Sequence, residues 1–176
     1  MTREQVMKRR IGYKQLVGVN VSKHIRVRLQ DRDMNLMKAC YATALGQWES
    51  EALWVYFWYQ DDKTRRELLI EALMGRTNDE ITAIKHAFKD KKYSDSLTEA
   101  MEAELKEDKF KRAVLEVLLE ARIEDYGHSG QLPIDKDFVE DGADLLRKAT
   151  LSEEDGETAM LGVVVQRSDS HLHEIM

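Results

Sequence analysis

Apolar residues recur at helical spacing along most of this chain, most regularly between residues 62 and 122. Side chains three, four, seven or eight positions apart share one face of an α-helix, so this stretch is predicted to form four consecutive helices. Their predicted apolar faces are Leu69, Ile70 and Leu73; Ile81, Ile84 and Phe88; Leu97, Met101 and Leu105; and Phe110, Ala113, Val114, Val117 and Leu118.

Start signals precede two of these helices. Thr77 is followed three positions later by Glu80, and Ser96 is followed in the same way by Glu99. In such a capping box, the hydroxyl and the carboxylate each accept a hydrogen bond from a backbone N–H group that the first turn leaves unsatisfied. The spacing therefore predicts helices that begin just after Thr77 and Ser96.

The stretch 51–59 is almost entirely apolar and aromatic, and it includes Trp54 and Trp58. Its local β propensity is compatible with a strand, but a lone strand among helices would leave backbone groups without partners. We therefore predict a short helix buried on most sides, with a strand as the alternative. Both tryptophans are expected in the core.

The sequence also repeats itself at two displacements. Residues 21–29 have the apolar spacing of residues 97–105, displaced by 76 positions, and residues 160–168 have that of residues 69–77, displaced by 91 positions. The additional residues in the longer displacement lie mainly in segment 124–136, which holds the only proline and favours an exposed linker. Internal similarity of this kind predicts a helical repeat protein.

Three stretches resemble annexin repeats, in which five helices, A to E, follow one another and an Arg with a Ser/Thr-rich turn joins helices B and C. The stretch LLIEALMGRTNDEITAIKHAFKDKKYSDSLTEAMEAELKEDKFKRAVLEVLLEA is similar to helices B to E. QRSDSHLHEI resembles a B-to-C junction, and YKQLVGVNVSKHIRVRLQDRDMNLMKACYATAL resembles helices C to E. The resemblance covers nearly the whole chain.

This resemblance implies an all-α fold, namely an annexin-like repeat of five helices with a partial repeat on each side. Residues 1–46 would form a partial repeat (helices C to E), and residues 47–123 a complete one (helices A to E). Residues 124–136 would be a linker, and residues 137–176 the start of a further repeat (helices A, B and the start of C). We expect the native protein to continue beyond this piece.

The resemblance also implies a peripheral phospholipid-binding module, because annexins bind anionic membranes through calcium. In the family, a G-x-G-T loop between helices A and B acts together with an acidic residue at the end of helix D. Calcium takes six to eight oxygen ligands, and a glycine-rich loop can turn several backbone carbonyls toward it while a carboxylate completes the shell. Bound calcium then bridges an acidic protein to an acidic bilayer.

This sequence departs from the family pattern in that loop. Counted back from Arg76, the four loop positions fall on Asp61, Asp62, Lys63 and Thr64, so both glycines are absent and only the threonine matches. The acidic position at the end of helix D falls on Glu104. A degenerate calcium site is therefore predicted from Asp61, Asp62, Thr64 and Glu104, with calcium binding expected to be weak or lost.

Direct contact with lipid is the remaining route to a membrane. Lys63, Arg65 and Arg66 could contact headgroups, and Trp48, near a predicted helix junction, is a candidate for the membrane interface. The alternative is a helical protein-interaction scaffold that keeps the fold but has lost calcium and lipid binding.

Composition favours a helical fold and excludes several kinds of partner and site. With 34% charged residues, 1 Pro and 9 Gly in 176 residues, short turns between helices are favoured, and the net charge of -6 disfavours nucleic acid as a partner. Cys40 is the only cysteine, so an internal disulfide and a multi-cysteine zinc site are excluded. No apolar run is long enough to span a membrane, so we expect a cytoplasmic protein that contacts membranes only peripherally.

No enzymatic activity is predicted, because no residue set combines a nucleophile with a base and an orienting group. The segment GHSGQ, residues 127–131, comes near the nucleophile elbow of hydrolases but lacks its last glycine and a preceding strand, so it is expected to be a loop.

Overall fold

The computed structural model describes residues 3–61, 63–120, 122–123, 126–127, 130–131, 135–151 and 156–175. These residues form helices α1 (Arg3–Val17), α2 (Val21–Leu29), α3 (Met34–Ala44), α4 (Gln47–Asp61), α5 (Glu67–Leu73), α6 (Asn78–Ala87), α7 (Leu97–Glu104), α8 (Lys109–Leu118), α9 (Lys136–Leu151), α10 (Gly156–Gln166) and α11 (Asp169–Ile175). A 3-10 turn, Lys91–Tyr93, precedes α7. The all-α class predicted from the sequence is confirmed.

A minimal hairpin occupies part of the predicted linker. Strands β1 (Tyr126–Gly127) and β2 (Gly130–Gln131) pair antiparallel, with Tyr126 opposite Gln131. The expectation of a loop at residues 127–131 was therefore wrong for Gly127, Gly130 and Gln131, and residues 128 and 129 lie outside the described part of the chain. Two-residue strands bury no side-chain layer of their own, so the hairpin leaves the helical class unchanged.

The chain divides into two compact units. Unit 1 comprises Met1–Ala72 and His86–Asp90, and unit 2 comprises Leu73–Lys85 and Lys91–Met176. Among the described helices, three precede residue 46, five lie within residues 47–123 and three follow residue 135. The assignment of these groups to one complete and two partial repeats remains a prediction.

Unit 1 is built on consecutive helix pairs, in which α2 packs on α1 and α3, and α3 packs on α4. The stretch 51–59 lies within α4, so the prediction of a helix there is confirmed. Trp58 is 2% exposed, whereas Trp54 is only half-buried, so the core prediction is right for the first and wrong for the second. The Tyr59 hydroxyl donates a hydrogen bond to the Asp90 carboxylate, which satisfies both groups.

Unit 2 contains most of the predicted apolar faces. Nine of the predicted residues in this unit are at most 7% exposed: Leu73, Ile81, Ile84, Leu97, Met101, Leu105, Ala113, Val114 and Leu118. The helix starts predicted after Thr77 and Ser96 are confirmed as well. The first has both bonds of a capping box, whereas the second has only the serine hydroxyl bond, because the Ser96 N–H donates to the Tyr93 carbonyl. Thr77 Oγ1 accepts from the Glu80 N–H at 3.2 Å while Glu80 Oε2 accepts from the Thr77 N–H at 3.1 Å, and Ser96 Oγ accepts from the Glu99 N–H at 3.2 Å.

Ile70 does not lie in the core as predicted. It is 47% exposed, whereas its neighbour Leu69 is fully buried. Successive residues of a helix point about 100° apart, so a short helix such as α5 can bury the stripe of Leu69 and Leu73 without covering Ile70. Phe110 and Val117 are likewise only half-buried at the margins of α8.

The turn between α10 and α11 buries several polar groups. Arg167 is 9% exposed, its guanidinium lies 3.3 Å from the Phe138 ring centre, and its burial lowers its pKa while the Asp141 carboxylate opposes that shift. Ser168 Oγ and His171 Nδ1 are 2.6 Å apart, and both residues are buried. These contacts fix the turn against α9.

Arg122 joins two helix junctions of unit 2. Its Nη1 donates to the Arg76 carbonyl at 3.1 Å, its Nε donates to the Arg167 carbonyl at 3.2 Å, and its Nη2 is 2.6 Å from Asp169 Oδ1. Its backbone N–H and carbonyl both pair with the Asn78 side chain. Because the two carbonyls follow the ends of α5 and α10, one side chain satisfies acceptors at two separate turns.

Replacing Leu69 by alanine should destabilise the protein by about 2–5 kcal/mol, because the change removes a fully buried side chain and leaves a cavity. The matched control is Ile70→Ala, which alters helix propensity similarly at a largely exposed site and should cost about 1 kcal/mol or less. Urea denaturation of the two variants measures the difference. Equal losses would contradict the burial pattern of α5.

Replacing Arg122 by alanine should cost about 2–4 kcal/mol, because the Arg76 and Arg167 carbonyls each lose a donor in a site where the arginine side chain is only 12% exposed. Arg122→Lys should recover only part of this loss, since an ammonium lacks the guanidinium fork. The control is Asp169→Asn. The aspartate side chain is 85% exposed, so its loss should lower the free energy of unfolding by about 1 kcal/mol or less. Thermal and urea unfolding would both measure the stability of the three variants. Full recovery of wild-type stability in Arg122→Lys would argue against the bridging role of the guanidinium.

Candidate functional site

The candidate loop joins α4 to α5. Helix α4 ends at Asp61 and α5 begins at Glu67, so Asp61 is the last residue of α4, and Lys63 and Thr64 lie between the two helices. Asp61, Lys63, Thr64 and Arg65 are exposed and Arg66 is half-buried. The predicted ligand Asp62 lies outside the described residues.

The Asp61 carboxylate is paired with an ammonium group. Lys38, on α3, donates a hydrogen bond to Asp61 Oδ2, and its Nζ also lies 5.2 Å from the centre of the Phe57 ring. The lysine side chain is 18% exposed and the aspartate side chain 47%. A cation at the loop would therefore have to compete with a fixed positive charge for this carboxylate.

The backbone of the loop is turned inward at Lys63. Trp58 Nε1 donates a hydrogen bond to the Lys63 carbonyl at 3.1 Å, and Trp58 itself is buried. A buried indole N–H needs an acceptor, and this carbonyl supplies it. In a calcium loop, backbone carbonyls are ligands, so one of the oxygens that this loop could offer already has a partner.

Glu104 closes α7 in unit 2 and has partners of its own. The Tyr93 hydroxyl donates to Glu104 Oε1, and Lys92 Nζ lies 2.6 Å from the same oxygen. The Glu104 side chain is only 9% exposed. The Lys92 ammonium also lies 4.6 Å from the centre of the Tyr93 ring. This carboxylate is therefore part of a local network between α7 and the preceding 3-10 turn.

The described donor set fits calcium poorly. Within the described ranges, no group of three or more His, Cys, Asp or Glu side chains could hold a metal ion. Since both described carboxylates already pair with lysines, little negative charge is left for a cation that takes six to eight oxygens. The site of Asp61, Asp62, Thr64 and Glu104 stays a prediction.

The predicted lipid contacts fall at opposite ends of α4. Trp48 is the second residue of this helix and is half-buried, whereas Lys63, Arg65 and Arg66 follow its last residue. A helix rises about 1.5 Å per residue, so Trp48 and the cations are separated by roughly 20 Å. Arg65 Nε also donates to Glu67 Oε1 at 3.0 Å, and both side chains are 57% exposed. The structure brings the three cations together but leaves Trp48 apart from them.

Sequence reasoning missed the partners of the acidic residues. Lys38 pairs with Asp61 across 23 positions, and Lys92 and Tyr93 reach Glu104 across 12 and 11 positions. Such pairs have no local spacing rule, because they depend on how separate elements pack. One usable signal was the Lys91–Tyr93 segment, which places a cation and a phenol just before α7.

The comparisons with known proteins concern the fold. No protein-family model matches the sequence, and no curated protein matches it. Three solved annexin structures match it well. A point mutant of annexin A8 has a TM-score of 0.76 and 18% sequence identity, over 99% of this chain and 52% of that chain. Annexin III has a TM-score of 0.77 and 20% identity, over 98% of this chain and 51% of that chain, and chicken annexin V has a TM-score of 0.71 and 20% identity, over 98% and 52%.

The chain therefore has an annexin-like fold, as the sequence resemblance predicted. It spans about half the length of the annexins that it matches. No helix in the described ranges is both long and apolar enough to cross a membrane.

Two variants test whether Tyr93 or Lys92 stabilises the Glu104 carboxylate more strongly. Tyr93→Phe should cost about 1–3 kcal/mol in unfolding free energy, because a largely buried carboxylate loses a donor. The control Lys92→Met removes a side chain that is 60% exposed and should cost about 1 kcal/mol or less. If urea denaturation ranked the two variants the other way, the ammonium would be the main partner and the network described above would be misassigned.

Proposed function

We propose that this chain is a peripheral phospholipid-binding module that contacts anionic membrane surfaces without calcium. The observation that carries the proposal is the annexin-like fold, which extends over 98–99% of the chain. The sequence resemblance implies membrane contact for a protein of this fold. A peripheral mode agrees with the absence, in the described ranges, of a helix that could cross a bilayer.

Three contacts support independence from calcium. The Asp61 carboxylate pairs with Lys38, the Glu104 carboxylate pairs with Lys92, and the Lys63 carbonyl accepts from Trp58. Each removes an oxygen from the set that a calcium ion would need. A calcium ion would also meet the ammonium groups of these lysines, which raises the cost of bringing a divalent cation close.

Direct electrostatic contact is the mechanism that the loop can supply. Lys63 and Arg65 are exposed and Arg66 is half-buried, all within five positions after α4. A basic side chain near an anionic bilayer contributes about 1 kcal/mol, so three of them give a modest, reversible attraction. The chain carries a net charge of -6, so the attraction must act locally, within about 8 Å at physiological salt.

The proposal also covers the repeat boundaries, the location of the protein and its non-catalytic role. We assign the complete repeat to residues 47–123, between partial repeats at 1–46 and 137–176, and place the protein at the cytoplasmic face of membranes. Its role would be binding and not catalysis. Trp48 remains a candidate for the interface, but as a contact separate from the three cations, because α4 lies between them.

Vesicle co-sedimentation tests the proposal. The wild-type chain should pellet with phosphatidylserine-containing vesicles equally in calcium and in a calcium chelator, and not with pure phosphatidylcholine. The double variant Lys63→Glu with Arg65→Glu should bind roughly tenfold or more weakly, because attraction becomes repulsion at two positions. A matched control, Arg112→Glu with Lys148→Glu, changes the net charge equally at exposed residues far along the chain from the loop.

Two results would overturn this function. Pelleting only in calcium, together with saturable calcium binding by calorimetry, would mean that the calcium site is intact. No pelleting in either condition would remove the lipid proposal altogether. The alternative, a protein-interaction scaffold, would then be favoured by partner binding that is indifferent to both lipid and calcium.

A further inference from the structure

A cavity of about 600 Å³ opens beside α2 in unit 1. Its lining includes Asn20, Lys23, Arg26 and Gln30 along α2, and Tyr41 from α3. Lys23, Arg26 and Gln30 are three and seven positions apart, so they share one face of the helix. Because α2 packs on α3, the tyrosine faces this stripe from the neighbouring helix. The volume lies in the range of small-molecule sites, about 300–1,000 Å³.

The lining is positively charged and, among the residues that the structure describes, holds no carboxylate. Neither Lys23 nor Arg26 forms a side-chain hydrogen bond or ion pair with another residue in the described ranges. The acidic residues that follow α2 do not line the cavity, and Asp33 Oδ1 is engaged as the cap of α3, where it accepts from the Leu36 N–H at 2.9 Å. Two cations therefore face the cavity, and no described lining residue supplies an anion to neutralise them.

The surrounding segment has the opposite charge to the chain as a whole. Residues 1–33 contain nine lysines and arginines against three carboxylates, whereas the full sequence has a net charge of -6. A concave site with one sign of charge concentrates its potential and raises the local concentration of ligands of the opposite sign. The cavity is thus placed in the part of the chain best suited to attract an anion.

The donors around the cavity match phosphate groups. An arginine can bind two phosphate oxygens through its guanidinium fork, and a lysine adds a mobile point charge. The Gln30 amide, the Tyr41 hydroxyl and the amide nitrogen of Asn20 are further donors, while the Asn20 oxygen caps α2 by accepting from the Ser22 N–H at 3.2 Å. The N-terminal end of α2 adds a partial positive charge.

We propose that this cavity binds a compact ligand carrying several phosphate groups, of the kind found in a phosphorylated inositol. The ligand could be a lipid headgroup or a soluble phosphate ester, since both present the same chemistry. The proposal goes beyond the membrane contact assigned to Lys63, Arg65 and Arg66, and does not depend on it, because the cavity lies on different helices of the chain.

The test uses the full chain and two probes. Inositol trisphosphate is titrated in solution by calorimetry, and phosphatidylcholine vesicles containing phosphatidylinositol bisphosphate are assayed by co-sedimentation. The double variant Lys23→Ala with Arg26→Ala should weaken binding roughly tenfold or more, because two charge-assisted contacts are lost. The control Arg9→Ala with Lys14→Ala removes the same charge from exposed positions outside the lining and should keep near wild-type affinity.

Each outcome decides the proposal. Binding of either probe that is lost in the cavity variant and kept in the control supports it. If the soluble probe binds, a free phosphate ester is sufficient to occupy the cavity. If only the vesicles bind, the ligand is a lipid headgroup. Equal loss in both variants would mean general electrostatic attraction and would overturn the site, as would no binding of either probe by the wild-type chain. Vesicle binding that falls only in the Lys63 and Arg65 variant would support the loop and reject the cavity.

Discussion

The arrangement of unit 2 depends most on the hydrogen bonds that the Arg122 guanidinium donates to two helix junctions. The residues after a helix carry carbonyls that no intrahelical donor reaches, and a protein must satisfy them when they are buried. Here one arginine donates to the carbonyls of Arg76 and Arg167, which follow α5 and α10. The Asn78 side chain holds the backbone of Arg122 in place, and the Ile123 N–H adds a bond to the Gln166 carbonyl. The two turns are thereby fixed to each other, because neither can shift without leaving an acceptor unsatisfied.

The same requirement explains the pairing of Asp61 and Glu104, the two acidic residues of the predicted calcium site that the structure describes. A carboxylate that is largely removed from water is costly unless it is paired, and Glu104 is 9% exposed. Its pairing with Tyr93 and Lys92 makes it a structural group that holds the 3-10 turn against α7. Asp61 is more exposed, yet Lys38 on α3 takes the same role there. An acidic side chain at a position where a metal ligand is predicted need not bind a metal, because its charge can be used within the protein.

The helices could be predicted from the sequence because their signals are local. The spacing of Ile81 and Ile84, and the capping box of Thr77, involve residues within one or two turns of each other. The exposure of Ile70, the half-burial of Trp54 and the ion pair of Lys38 depend instead on which element packs on which face, and periodicity carries no such information. The separation of Trp48 from the loop cations could have been inferred once the whole stretch was taken as one helix, since helix length fixes the distance between its ends.

Charge segregation offers a physical route by which an acidic chain with this fold can meet anionic surfaces. Calcium bridging solves the problem of net charge by inserting a divalent cation between two negative surfaces, and it requires vacant oxygens. Here one oxygen each of Asp61 and Glu104 is paired with a lysine, while basic residues outnumber acidic ones in the first 33 residues and in the loop after α4. Since screening confines exposed charges to about 8 Å, these local cations act on a nearby phosphate almost independently of distant carboxylates. The proposed anion binding should therefore respond to ionic strength, whereas calcium-bridged binding would respond to calcium.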